Sequence, residues 1–161
     1  MNDIKNVAER NKENAIRLLG DAMPNQNYEL MAELMTADAT IERAGFADIY
    51  GATNGDIPPK GNFREWLKAG WEKLSSALTD QTSVVTDIFA SESGVMMKFH
   101  MTALHTGTFS GAPATGKRVE WDEISLIHFN EEGKIIDAWF MCQELNLARQ
   151  IGYEVALKES K

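Results

Sequence analysis

The chain has 161 residues, 43% of them hydrophobic and 25% charged, the size of one domain that can bury a core without metal or disulfide support. Its formal net charge of -8, with Lys and Arg scattered along the chain, offers no basic stripe to nucleic acid or anionic lipid. One cysteine, Cys142, rules out an internal disulfide framework and a multi-cysteine zinc site. With no apolar leader near the start and no run of about 18 apolar residues, the expectation is a cytoplasmic protein that does not enter a membrane.

In chain order, residues 3–23 place Val7, Asn11, Ala15, Leu18, Leu19 and Ala22 at three- and four-residue spacing, which predicts an amphipathic helix. PNQN (24–27) ends it. A short helix is expected over 28–35, then a turn over 36–40 into a strand near Ile41. The Gly- and Pro-rich stretch YGATNGDIPPKGN (50–62) reads as a loop within one domain. Asn62 and Glu65 form a capping pair for a helix to about residue 78, with Phe63, Trp66, Leu67, Gly70, Trp71, Leu74 and Leu78 as its buried stripe.

From residue 83 the period becomes alternating. SVVTDIFA, the turn SESG and VMMKFHMTALHTGTF predict one hairpin; KRVEWDEISLIHF, the turn NEEG and KIIDAWFMCQ predict a second. A last helical turn, LNLARQIG, ends at Gly152. Helices first and antiparallel strands later define an α+β class, expected as a single domain over 1–161 with its core at 5–152 and a charged tail at 153–161.

Alternation assigns side chains to faces. Val95, Met97, Phe99, Met101, Ala103 and His105 share the core face of one strand, and Val119, Trp121, Glu123, Ser125, Ile127 and Phe129 that of the next. The last strand is apolar on both sides. We take Ile135, Asp137, Trp139, Met141 and Gln143 as its inner set, because this brings the odd positions of three strands to one face.

HTGTFSGAPATGKRVEW (105–121), followed by EEGKIIDAW (131–139) and LARQIG (147–152), resembles the SnoaL-like polyketide cyclase family. Its members share a His-x-Gly-x-Phe-x-Gly-x-Pro-x-Thr-Gly-Lys loop, a Gly-Lys-Ile strand start, an acid-x-Trp pair and a Gln-hydrophobic-Gly end. The likeness is close over residues 95–152 and is one of pattern only over 10–90. It implies a nuclear transport factor 2-like α+β barrel, a cone-shaped antiparallel sheet whose concave face is closed by helices around an apolar pocket. It also implies ring closure by an intramolecular aldol step, using an acidic side chain and neither metal nor cofactor. Where many members have an Asp four residues after the Trp, this chain has Gln143, so that role passes to Asp137, Glu123 or Glu144, or is absent.

Asp137 beside Trp139 is the expected general base, because desolvation raises a carboxyl's pKa. His105 and Gln143 would hydrogen-bond the developing enolate, and Trp121, Trp139, Phe99 and Met101 would shape the pocket. Glu123, on the Trp121 face, needs a partner, expected from a helix with Arg43 as the candidate, or a function. His100, His128 and Cys142 read as structural or surface groups. Three scattered histidines make no metal site, and Thr115-Gly116-Lys117 is a turn, not a phosphate loop.

The expected ligand is a small apolar or aromatic molecule. Two further readings stand beside the cyclase: a non-catalytic binding protein on the same fold, and an isomerase or hydratase of ketosteroid isomerase type. Apolar outward positions on the last two strands, read as Ile124, Leu126, Ile136, Ala138, Phe140 and Cys142, predict a homodimer through the sheet faces.

Overall fold

The computed structural model describes residues 2–44 and 57–157. The chain runs through α1 (Asn2–Arg17), a π-turn (Leu18–Ala22), α2 (Tyr28–Leu34), β1 (Met35–Arg43), β2 (Lys60–Asn62) and α3 (Phe63–Trp66). A second π-turn (Leu67–Trp71) and α4 (Glu72–Ala77) precede β3 (Leu78–Ala90), β4 (Gly94–His105), β5 (Arg118–Phe129), β6 (Ile135–Cys142) and α5 (Glu144–Gln150). Most of the expected 50–62 loop lies outside the described residues. Its last residues form β2, and Asn62 caps α3 as expected, its side chain accepting from the Glu65 amide. No helix among the described residues is long and apolar enough to cross a membrane.

The α+β class is the one expected, with two differences. The six strands form one open sheet in the order β2-β1-β6-β5-β4-β3, so β2 and β3 are its edges. The sheet is also mixed rather than antiparallel, because β1 runs parallel to β6 from Thr40–Asp137 to Arg43–Phe140. Met35 to Thr40, read as a helix end and a turn, belongs to β1. Pairing with β6 on either side, at Met35–Ile135 and from Thr40–Asp137 onward, carries the extended chain through Thr-Ala-Asp-Ala, whose own strand propensity is weak.

Helices cover one face of this sheet, here the inner face, and the core lies between. Ala15, Leu18 and Ala22 of the first helical segment and Phe63, Trp66, Leu67, Leu74 and Ala77 of the second bury against β-strand side chains. α1 is also tied to both hairpin turns. Asn11 donates to the Ser91 and Glu92 carbonyls, Asn14 to that of Gly133 and Arg10 to that of Glu131.

Parity holds on β4 and β5, where every position assigned to the core face is buried. On β6 it does not. Ile135 pairs with Phe129 and Asp137 with His128, so an extra residue is accommodated between them. Such a bulge reverses the alternation beyond it. Ile135 therefore faces inward, but so do Ala138, Phe140 and Cys142, while Asp137, Trp139 and Met141 face outward. The expected outer positions Ala138, Phe140 and Cys142 are core; the apolar outer face is made instead by Ile124, Leu126, Ile136, Trp139 and Met141.

Candidate functional site

A narrow cavity of about 40 Å³ lies between the inner face of the sheet and the two π-turns. Leu19, Met23 and Trp71 come from the helical side, Phe99 and Met101 from β4, Glu123 from β5, Phe140 from β6 and Arg43 from the end of β1. Pro24 and residues Gln81, Thr82 and Ser83 form its rim. The site is thus mostly apolar, with one buried carboxylate and one buried guanidinium.

These two charges meet head-on. Arg43 Nη1 donates to Glu123 Oε2 at 2.9 Å and Nη2 to Oε1 at 3.2 Å, with both side chains 5% exposed. The indole of Trp121 donates to Oε1 at 2.7 Å. The Arg43 guanidinium also lies 5.1 Å from the centre of the Phe140 ring, a cation–π contact. This two-pronged geometry is the arrangement that offsets the desolvation of a buried pair. The partner Glu123 requires is therefore Arg43, supplied by a strand rather than a helix. Cys142 stands opposite Glu123 in the β5–β6 ladder, and burial, reinforced by the nearby carboxylate, pushes its thiol pKa up.

Of the residues picked out in the sequence, Glu123, Phe99 and Met101 line the cavity and Trp121 supports it. His105 is fully buried on the same face, but at the far end of β4 beside Leu78, outside the cavity lining. Its Nδ1 lies 3.1 Å from the Thr115 hydroxyl, and its backbone closes the following loop through His105 N to Lys117 O and Gly116 N to His105 O. Burial holds its imidazole below the usual pKa, opposed by a hydrogen bond with the Gly107 backbone.

Asp137 does not join them. Its carboxylate pairs with His128 Nδ1 at 2.7 Å on the outer face, each side chain 42% exposed. Trp139 shares that face, where with Asp137, Leu126, Glu42 and Lys60 it lines a broad open depression. Gln143 is exposed at the start of α5 and accepts from the Asp122 amide. The proposed convergence of Asp137, Trp139 and Gln143 with His105 is thus undone by the β6 bulge. Arg43 as a strand residue, and Leu19, Met23 and Trp71 as cavity wall, went unrecognised because helix-periodic apolar residues look the same whether they face core or cavity. Among the described residues no group of three His, Cys, Asp or Glu side chains is placed to hold a metal ion.

The family model for SnoaL-like polyketide cyclases matches residues 15–151, and the chain belongs to that family. The fold is that of IdmH, a candidate polyketide cyclase from Streptomyces antibioticus, at 25% identity and a TM-score of 0.72 over 89% of this chain and 99% of that one. It is likewise similar to a candidate SnoaL-like polyketide cyclase from Jannaschia sp. CCS1, at 17% identity and a TM-score of 0.75 over 92% and 96% of the two chains. AclR, a candidate hydroxylase from Streptomyces galilaeus, matches at 20% identity and a TM-score of 0.71 over 90% and 97%. No curated protein matches the sequence significantly.

Two predictions follow from the buried groups. Arg43→Met and Glu123→Gln should each cost about 3–5 kcal/mol in urea unfolding, because each removes the ionic partner of a charge that stays buried. The double variant Arg43→Met/Glu123→Gln should lose less than the sum of the two single losses; losses that simply add would show that the two groups act independently.

For His105, a folded pKa below its ordinary 6.5 means that the unfolded chain takes up the proton first. The group contributes nothing to the pH dependence above that value. Stability falls as the pH drops through it, and levels off below the folded pKa. Unfolding free energies measured from about pH 7.5 to 5 should decline less in His105→Gln than in the native chain. Equal declines would place the imidazole in water.

Proposed function

We propose that the protein is a cofactor-independent acid–base enzyme of the cyclase type, acting on a small, largely apolar carbonyl compound, with Glu123 as the proton acceptor. One observation carries the reading: among the described residues Glu123 is the carboxylate that lines the inner cavity, and it sits there against a cation. A substrate C–H next to a carbonyl would deliver its proton to Oε2, the oxygen bonded to Arg43 Nη1 but not to Trp121. The electron pair of that bond would move into the carbonyl, where Arg43 stabilises the enolate oxygen. The enolate carbon then bonds to a second carbonyl carbon of the same molecule, and the new alkoxide takes the proton back from the Glu123 carboxylic acid. Trp121 fixes the carboxylate's orientation. His105 is assigned here to holding the 106–117 loop, and Asp137 has no part in the step.

The first half of this sequence also serves an isomerase, so the reading is tested on proton removal. With 1-tetralone in D₂O, the protein should accelerate exchange of the α-protons over buffer, followed by NMR. Glu123→Gln, checked for folding by near-UV circular dichroism, should slow that exchange by a factor on the order of a hundred. Exchange no faster than in buffer, or unchanged in the variant, would leave the binding-protein reading. That reading draws support from the way Arg43 engages both oxygens of Glu123.

The partner proposed is a second copy of the chain, paired through the outer face. Leu126, Ile136 and Met141 are each more than a third exposed there, beside Ile124 and Trp139. Sedimentation at micromolar concentration should give a dimer, and Leu126→Glu should return monomers. A native monomer would refute the pairing.

A further inference from the structure

The cavity over Glu123 measures about 40 Å³, whereas a dry cavity that binds benzene is about 150 Å³. Admitting even one ring therefore requires a wall to move. The sheet wall is ill suited to this. Phe99, Met101 and Glu123 belong to β4 and β5, which pair without interruption from Gly94–His128 to Leu104–Arg118.

The helical wall is built differently. Leu19 lies in the first π-turn, Met23 is its C-terminal cap, and Trp71 ends the second. Turns of this kind are rare single-turn departures from α-helical bonding and occur often at functional positions. The two are joined at their buried contact by the Trp71 indole, whose Nε1 donates to the Met23 carbonyl at 2.9 Å. Other links between these segments, Gln26 to Ser75 and Tyr28 to Glu72, lie in solvent.

The second π-turn's backbone has little freedom beside this link. A Cβ on Gly70 would come within 2.6 Å of the Trp66 ring, and Trp66 is itself anchored to the Pro58 carbonyl. The part of the wall left to move is then the Trp71 side chain with the first π-turn. The rim opposite is the β3 segment Gln81, Thr82 and Ser83, where the ladder is interrupted between Thr79 and Thr82.

We infer that Trp71 is the specificity-determining gate of the cavity: latched to the Met23 carbonyl it closes the space above Glu123, and released it admits a flat apolar ligand of one or two rings. The inference rests on the cavity being the ligand site, as the proposed function requires. It assigns the size limit to one side chain rather than to the sheet.

The test uses the full chain with methyl-labelled methionine and 2-naphthol as the probe, with Met101 as the reporter inside the cavity. Trp71→Phe keeps a ring in place but removes the donor. Its association and dissociation rates should both rise about tenfold while Kd changes by less than about threefold, because loss of the latch lowers the barrier more than it alters the bound state. Trp71→Ala should bind 1-hydroxypyrene, which the native chain excludes. Equal rates in the native chain and Trp71→Phe, or equal binding of 1-hydroxypyrene by the native chain and Trp71→Ala, would overturn the gate while leaving the cavity as a ligand site. No response of Met101 to 2-naphthol in any of the three would overturn both.

Discussion

The buried ion pair between Arg43 and Glu123 is the constraint on which the rest of the inner face depends. Arg43 ends β1 and Glu123 lies in β5, and β6 runs between them. The pair thus fastens two strands that share no ladder, across the Phe140 ring. It also fixes register. A slip of one residue in β5 would carry Glu123 to the outer face and part the carboxylate from the buried guanidinium, a far larger penalty than the slip of an apolar side chain. With Glu123 turned inward, Trp121 and Ser125 must turn inward too. Trp121 then completes the carboxylate's hydrogen bonding, whereas Ser125 is left fully buried with no hydrogen-bond partner for its hydroxyl among the described residues.

How far the fold could be read from the sequence varied with how local its causes are. β4 and β5 were legible residue by residue, because their alternation is unbroken and only one face is apolar enough to be core. Asn62 announced its helix because capping is a matter of four consecutive residues. β1 was legible only near Ile41; its first half was hidden, since the strand is held by β6, about a hundred positions later. The two π-turns were hidden as well: Leu18, Leu19 and Ala22 keep a helical spacing, and one extra residue per turn leaves little mark on such a pattern. On β6 the apolar residues on both faces gave the bulge no contrast in which to show.

The site was legible in its charge and in its β4 wall, Phe99 and Met101, and not in its helical wall. A carboxylate on an apolar face demands a partner, and this simple rule singled out Glu123 and named Arg43. Face assignment, however, says nothing about depth along a strand. His105 shares a face with Met101 but lies four residues farther on, about 13 Å at the usual rise, so it belongs to the loop beyond β4. The family likeness over 105–152 carried the fold correctly. It drew attention to Asp137 and Trp139, which the bulge places on the other side of the sheet.

The side chains of α1 that hold the hairpin turns have a consequence for how the chain acquires its structure. Asn11 reaches carbonyls 80 and 81 residues downstream, and Asn14 and Arg10 reach 119 and 121. On the ribosome α1 is made some 80 to 121 residues ahead of these anchoring points. The first hairpin offers α1 the strands β3 and β4 to pack on, but the ties at residues 131 and 133, like the pairing of β1 with β6, wait for the second. Folding dominated by such distant closures is slow, since loop entropy is lost before contacts repay it. The N-terminal half is therefore no independent folding unit.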